Sequence, residues 1–327
     1  MKFKTTAIAM AVAGIVAAPV AVQAGADEIY ASARVGAWNV DQSDSQNSEV
    51  RSFASRFGAK GETDLGNGLT GYGRYEWNVD MNNAGDISNR HRYVGVKADW
   101  GNVLIGQTNQ TFYNFVVGPI DNPWWHSGYA MVNYRGRTDN AITYKGGSGN
   151  FNFGATVYMV KEGDKVAKGG VAPDDDDDID AFEAAASMAI GDMTLAAAMQ
   201  STETSHGSDG SDEDIFGFAL SGIGIGETTL NLAAQMQEDD TGIVVDWLIG
   251  NFYAHAEVLM LDKDSGGNGT DPLDPDDQDV VSLTLGYTQS LGRKTTMYYE
   301  INHIDKDTDQ SSDDRTAVMA VLKYDII

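Results

Sequence analysis

The feature that most restricts this chain is a two-residue beat running almost from end to end. Ile29, Ala31, Ala33 and Val35 alternate with Tyr30, Ser32 and Arg34. Phe252, Ala254, Ala256, Val258 and Met260 alternate with Tyr253, His255 and Glu257, and Met297, Tyr299 and Ile301 with Tyr298, Glu300 and Asn302. Residues two apart share one face of a strand, so each segment predicts a strand with unlike faces. In "SRFGAKGETDLGNGLTGYGRYEW" the beat turns back on itself. Phe53, Ser55, Phe57 and Ala59 share a parity before "DLGNG", and Leu69, Tyr75, Trp77 and Val79 share one after it, which reads as a hairpin. The alanine-rich "DAFEAAASMAIGDMTLAAAMQ" has helical propensity. It also keeps the beat through Phe182, Ala184, Ala186, Met188 and Ile190, so two strands around "IGDM" are predicted.

The connections between strands alternate in length. Asp41 to Glu49 is long and Asp64 to Gly68 short; Met81 to Asn89 is long and Gly101–Asn102 short. The connection from Gln110 to about Val132 is very long, and "GGSGN" is short. The rhythm continues to Asp305–Arg315, with "EDDTG" as the exception. Roughly 16 strands with short turns at one end and long loops at the other describe a transmembrane antiparallel β-barrel. Closure removes the strand edges that a membrane cannot tolerate. The fold class is therefore all-β, with the apolar face toward lipid and the charged face around a wet interior. Trp38, Trp77, Trp100, Trp247 and Tyr324 are expected in the interfacial aromatic girdles.

Charge and composition narrow the function. The net charge is −26, and the acids bunch in stretches such as "PDDDDDID" and "DKDSGGNGTDPLDPDDQD". Nucleic acid is excluded as a partner, because binding it needs a basic surface. There is no cysteine, hence no disulfide scaffold and no thiolate metal site. The five histidines are scattered, and no nucleophile elbow or helical metal-binding pair is visible, so no enzyme, metal or cofactor is predicted. The acidic loops have oxygen-rich calcium-site character without the spacing of a helix–loop–helix calcium loop. They read as solvated surface, suited to bridging by divalent cations to lipopolysaccharide. The first residues, "MKFKTTAIAMAVAGIVAAPVAVQA", carry Lys2 and Lys4, an apolar run to Val22 and small residues to Ala24. They read as a secretory leader cleaved after Ala24 or Ala26. Residues 25–327 then form a single barrel domain.

"EIYASARVGAW", "SRFGAKGETDLGNGLTGYGRYEWN", "NRHRYVGVKADWGNVLIGQ" and "NYRGRTDNAITYKG" resemble the first third of the Gram-negative general-diffusion porins. The resemblance implies a 16-stranded, usually trimeric outer-membrane barrel whose third long loop folds inward to narrow the channel. The matching loop here lies within "TNQTFYNFVVGPIDNPWWHSGYAM", Thr108–Met131, with the constriction segment at about residues 110–131. Carried over by position, the wall arginines of such a constriction fall on Arg56, Arg90 and Arg135, and the loop acid on Asp121. A further basic wall position falls near Ser32, with Arg34 next on the same face. The family ends in an aromatic residue, whereas this chain ends "LKYDII".

Charged side chains are costly in lipid, so Arg56, Lys60, Glu62, Arg74 and Glu76 must face water or one another. Arg74 and Glu76 read as wall ion pairs; with Lys60 and Glu62 they are secondary pore-lining candidates. Arg92 and Arg137 are neighbours that take over if a bulge shifts the strand phase. "PWW", Pro123–Trp125, reads as packing of the inward loop on the wall, with a sugar-stacking platform as the sharper alternative. The resemblance implies passive diffusion of small hydrophilic solutes and ions, and the acidic mouths imply cation preference. The competing readings are a substrate-selective porin and a secreted, soluble calcium-binding or adhesion module. Expected partners are further copies of the chain in a trimer, and outer-membrane lipid and lipopolysaccharide.

Overall fold

The computed structural model describes residues 27–42, 45–80, 86–127, 130, 134–159, 179–202, 213–237, 240–260, 279–306 and 314–327. The expected leader and most of the acidic bunches lie outside the described residues. The strand segments are β1 (Asp27–Gln42), β2 (Ser45–Ser52), β3 (Ser55–Gly66), β4 (Leu69–Val79), β5 (Ile87–Ala98), β6 (Gly101–Gln107), β7 (Ala141–Ser148), β8 (Phe151–Met159) and β9 (Ile179–Ile190). They continue as β10 (Met193–Thr202), β11 (Glu213–Ile225), β12 (Thr228–Gln237), β13 (Asp240–Ile249), β14 (Phe252–Met260), β15 (Val280–Gly292), β16 (Thr295–Lys306) and β17 (Arg315–Asp325). Each pairs antiparallel with its neighbours, and β1 pairs with β17, so the sheet closes. β2 and β3 both lie against β1 and are two halves of one interrupted strand. The result is a closed barrel of 16 strands. The alanine-rich segment forms β9 and β10 around Gly191–Asp192, as its beat predicts.

The barrel is inverted relative to a soluble protein. Phe218, Trp247, Leu283, Leu285, Ile301 and Val318 stand exposed on the outside. Ser282, Thr284, Asn302, Glu257 and Glu300, their neighbours by one residue or one strand, are buried inside. Only a lipid-facing surface makes this economical, because an apolar belt of this size in water loses the hydrophobic driving force of folding.

Three expectations are corrected. Asp41–Glu49 is not a long loop: β1 and β2 keep pairing to Gln42↔Ser45, so the hairpin runs on past the wall. Trp38 is not a girdle residue. It shares parity with Arg34 and Gly36, points inward and lies under the Arg51 guanidinium, 3.9 Å from its ring centre. Phe53 also points inward, although it shares sequence parity with the outward Phe57. The cause is a bulge: Ala54 adopts a left-handed φ of 53°, and the pairing on β1 shifts by one residue between Val35↔Ser52 and Ser32↔Arg56. One extra residue turns every later side chain to the other face.

The inner wall is not uniformly polar. On β10–β13 the inward positions Ala196, Ala198, Ile215, Ala219, Ala233 and Val244 form an apolar pad. Phe112, Val116, Val117 and Ile120 of the connection between β6 and β7 pack on it. This connection enters the barrel instead of leaving it, and includes one wide helical turn, Tyr113–Val117. Gly217 makes room for it: a Cβ there would stand 2.6 Å from the Phe112 ring.

Candidate functional site

The inward loop is clamped to the wall by carboxylates that rise from strands. Glu183 on β9 accepts the Phe112 amide at 2.8 Å and the Tyr158 hydroxyl at 2.7 Å. Glu300 on β16 accepts three successive amides, those of Trp124, Trp125 (3.1 Å) and His126 (3.2 Å), and also the Tyr253 hydroxyl. Asp246 on β13 accepts from the Asn122 side chain at 2.6 Å and from Asn231 at 3.1 Å, and faces His255 at 3.3 Å. Backbone amides aimed together at one carboxylate form a strong, charge-assisted anchor. The loop therefore crosses the lumen as a fixed element, with Trp124 stacked on Tyr298 at 4.7 Å.

The facing wall, β1 and β3–β5, carries a cluster of guanidinium groups around one buried carboxylate. Glu76 accepts from Tyr30 Oη at 2.8 Å, Arg74 at 2.5 Å and Arg90 Nε at 2.8 Å, with Arg56 at 3.8 Å. A second bulge sets this up. Pairing between β4 and β5 slips between Glu76↔His91 and Trp77↔Asn89, leaving Arg90 as the extra residue. Arg90 shares sequence parity with the outward Val94, yet the bulge brings it to Glu76. Arg92 stays on the outward parity and pairs with Asp139 at 2.5 Å. His91 faces inward and meets Thr108 Oγ1 at 3.0 Å.

The remaining candidates separate. Arg34 lies on the same wall, 5.8 Å from the Trp124 ring centre. Arg135 sits over the Tyr158 ring at 5.1 Å, on the Glu183 side of the loop, and its amide donates to Gln200 at 2.8 Å. Arg137 is exposed, and its Nη1 donates to Asn109 Oδ1 at 3.1 Å. Asp121 accepts from Tyr113 Oη at 2.6 Å and Ser127 Oγ at 2.7 Å and is exposed to the lumen. Burial, with help from Asp121, holds the Tyr113 phenol well above its ordinary value, so it stays a donor. Lys60 pairs with Glu28 at 3.0 Å and Glu62 with Lys97 at 2.5 Å, both half exposed and toward the short-turn end. Glu183, Asp246 and Glu300, which position the loop, were not singled out from the sequence. Their signal was there: acids in mid-strand, at inward positions and flanked by uncharged residues.

Residues 5–309 match a family model described as Gram-negative porin. The chain belongs to this family. It is a porin of the Gram-negative outer membrane. Among solved structures, the anion-selective porin from Comamonas acidovorans aligns with a TM-score of 0.70 at 14% identity, over 92% of this chain and 100% of that one. The trimer form of OmpT from Vibrio cholerae aligns at 0.68 with 17% identity, over 93% and 100%. At such identities the likeness is one of fold. A chitoporin from Vibrio furnissii is 27% identical over 175 residues, 47% of this porin and 48% of the chitoporin, so the match spans about half of that relative's length.

Proposed function

We propose that this porin is a passive, non-enzymatic, water-filled channel for small hydrophilic solutes and ions. The observation that carries the reading is a loop clamped across the inside of an inverted barrel, with Asp121 exposed on the loop and, on the facing wall, Arg56, Arg74 and Arg90 around Glu76 with Arg34 near them. Opposed charges across a narrow gap with low-dielectric walls set up a transverse field. Polar solutes align in it and keep favourable contacts, whereas apolar solutes lose the surrounding water without replacement.

Cation preference is assigned to the acidic mouths, which concentrate cations and whose effect is screened by salt. Lipid contacts the outer belt, and divalent cations bridge the acidic loops to lipopolysaccharide. A homotrimer is supported by the trimer form of OmpT and by a surface of small outward residues. Ala31, Ala33 and Ala37 on β1, Ala320 on β17, Ala59 and Gly61 on β3, and Gly71 and Gly73 on β4 adjoin there. Small residues let copies approach closely within a bilayer. A solute-selective channel is the second reading, favoured by the chitoporin relative and by the aromatic loop tip Trp124–Trp125.

Conductance in planar bilayers tests this. Current steps in multiples of three are expected, with cation preference reduced in Asp121→Asn. A correctly folded sample that carries no current would end the channel reading.

A further inference from the structure

Two wall arginines are only weakly engaged: among the described residues Arg56 has one long ion pair, to Glu76, and Arg34 has no carboxylate within ion-pair distance. The Glu76 carboxylate is shared by Tyr30, Arg74 and Arg90 and stands 3.8 Å from Arg56. The Nε of Arg56 makes only a long bond, 3.4 Å, to the Ala54 carbonyl. Arg34 reaches back along its own strand, and its Nε donates to Ser32 Oγ at 3.3 Å. Ser32 is the cross-strand partner of Arg56, so both guanidinium groups converge on one spot of the inner wall. Beside that spot lies the half-buried ring pair of Trp124 and Tyr298, stacked with 20° between planes, and Arg34 is 5.8 Å from the indole centre. The Ala54 bulge builds this corner, because it places Phe53 behind Trp124 at 5.8 Å.

We propose that Arg34, Arg56, Trp124 and Tyr298 form a subsite for organic anions that carry a ring next to a carboxylate. The inference rests on the channel reading and adds a solute class to it. Guanidinium forks match a carboxylate geometrically, and the bonds are charge-assisted. Two like charges held close on a low-dielectric wall attract a counter-anion more strongly than either alone. The ring of the solute then lies against the aromatic pair instead of in water. A neutral ring would strip water from the guanidinium groups without replacing it. A small inorganic anion would leave the aromatic corner unused.

Benzoate, acetate and benzyl alcohol are the probes. The readouts are block of the single-channel KCl current and calorimetric binding to the detergent-solubilised protein. Benzoate is expected to act at a concentration about tenfold below acetate or benzyl alcohol. Arg34→Gln and Arg56→Gln each weaken benzoate by about tenfold, the loss of one charged hydrogen-bond partner. Trp124→Leu, or Tyr298→Leu should the first fail to fold, brings benzoate down to the level of acetate and leaves acetate unchanged. Equal action of benzoate and acetate on the wild type overturns the subsite, as does an Arg34→Gln/Arg56→Gln double variant that binds benzoate normally. If no KCl current is seen, the channel reading falls, and calorimetry still decides the subsite.

Discussion

Replacing Glu300 by alanine removes the acceptor on which the tip of the inward loop closes. Three amides lose their partner, those of Trp124, Trp125 and His126, together with the Tyr253 hydroxyl and the His126 ring. A buried donor left unpaired costs about 1–3 kcal/mol. Trp124 and Trp125 border the wet lumen, so water replaces part of that loss, whereas His126 is 1% exposed and gains little from it. The net cost to the seated loop is ~2–5 kcal/mol. That lowers the ratio of seated to released loop by roughly 30-fold to several thousand-fold. Glu300→Gln keeps a carbonyl acceptor of the same shape and loses only charge assistance, ~1–2 kcal/mol. Neither change removes a strand hydrogen bond, since the pairings of residue 300 with Gly286 and Met319 are made by backbone. Single-channel recording is the assay, with resistance of the folded barrel to unfolding in detergent as the control. Step size and open-channel noise should increase from wild type through Glu300→Gln to Glu300→Ala. A folded Glu300→Ala variant with wild-type steps and noise would refute the clamp.

Three other outcomes follow from the same geometry. Glu76→Gln leaves Arg56, Arg74 and Arg90 crowded without a counter-charge, so the reversal potential in a KCl gradient should move toward anions. It should also lower the barrel's stability by a few kcal/mol, as expected for breaking a buried pair, discounted because the arginines are partly exposed. Gly217→Leu drives a side chain into the Phe112 ring, and should unseat the start of the loop and raise conductance while the barrel still folds. Leu285→Arg, on the outer face in mid-strand, should destabilise the barrel in lipid by ~2–4 kcal/mol, measured by urea titration in vesicles.

Much of the barrel was legible because a strand in a membrane wall has only two environments. Phe182 through Ile190 kept the beat against a strong helical propensity, and β9 and β10 followed it. The rule failed where one residue was added. Phe53 sits beside a bulge and Arg90 is itself the extra residue of one, and parity alone assigns both to the lipid face. The family resemblance, and not parity, is what put Arg90 among the wall candidates, and the bulge brings it to Glu76. The clamps were not seen because the two ends of each interaction lie far apart in sequence: Glu300 and Trp124, Glu183 and Phe112, Asp246 and Asn122.

The linear chain by itself determined a closed, inverted barrel: alternation demands strands, and charged residues on the face opposite the apolar one demand water inside. Only the three-dimensional arrangement decided which residues meet across the lumen. Two one-residue bulges, an apolar pad on the far wall and a glycine facing Phe112 set where the loop lies and which arginines meet it. The physical reason is one of range. A period of two is a local property of consecutive side chains, whereas the clamps and the guanidinium cluster form between strands that meet only once the sheet has closed.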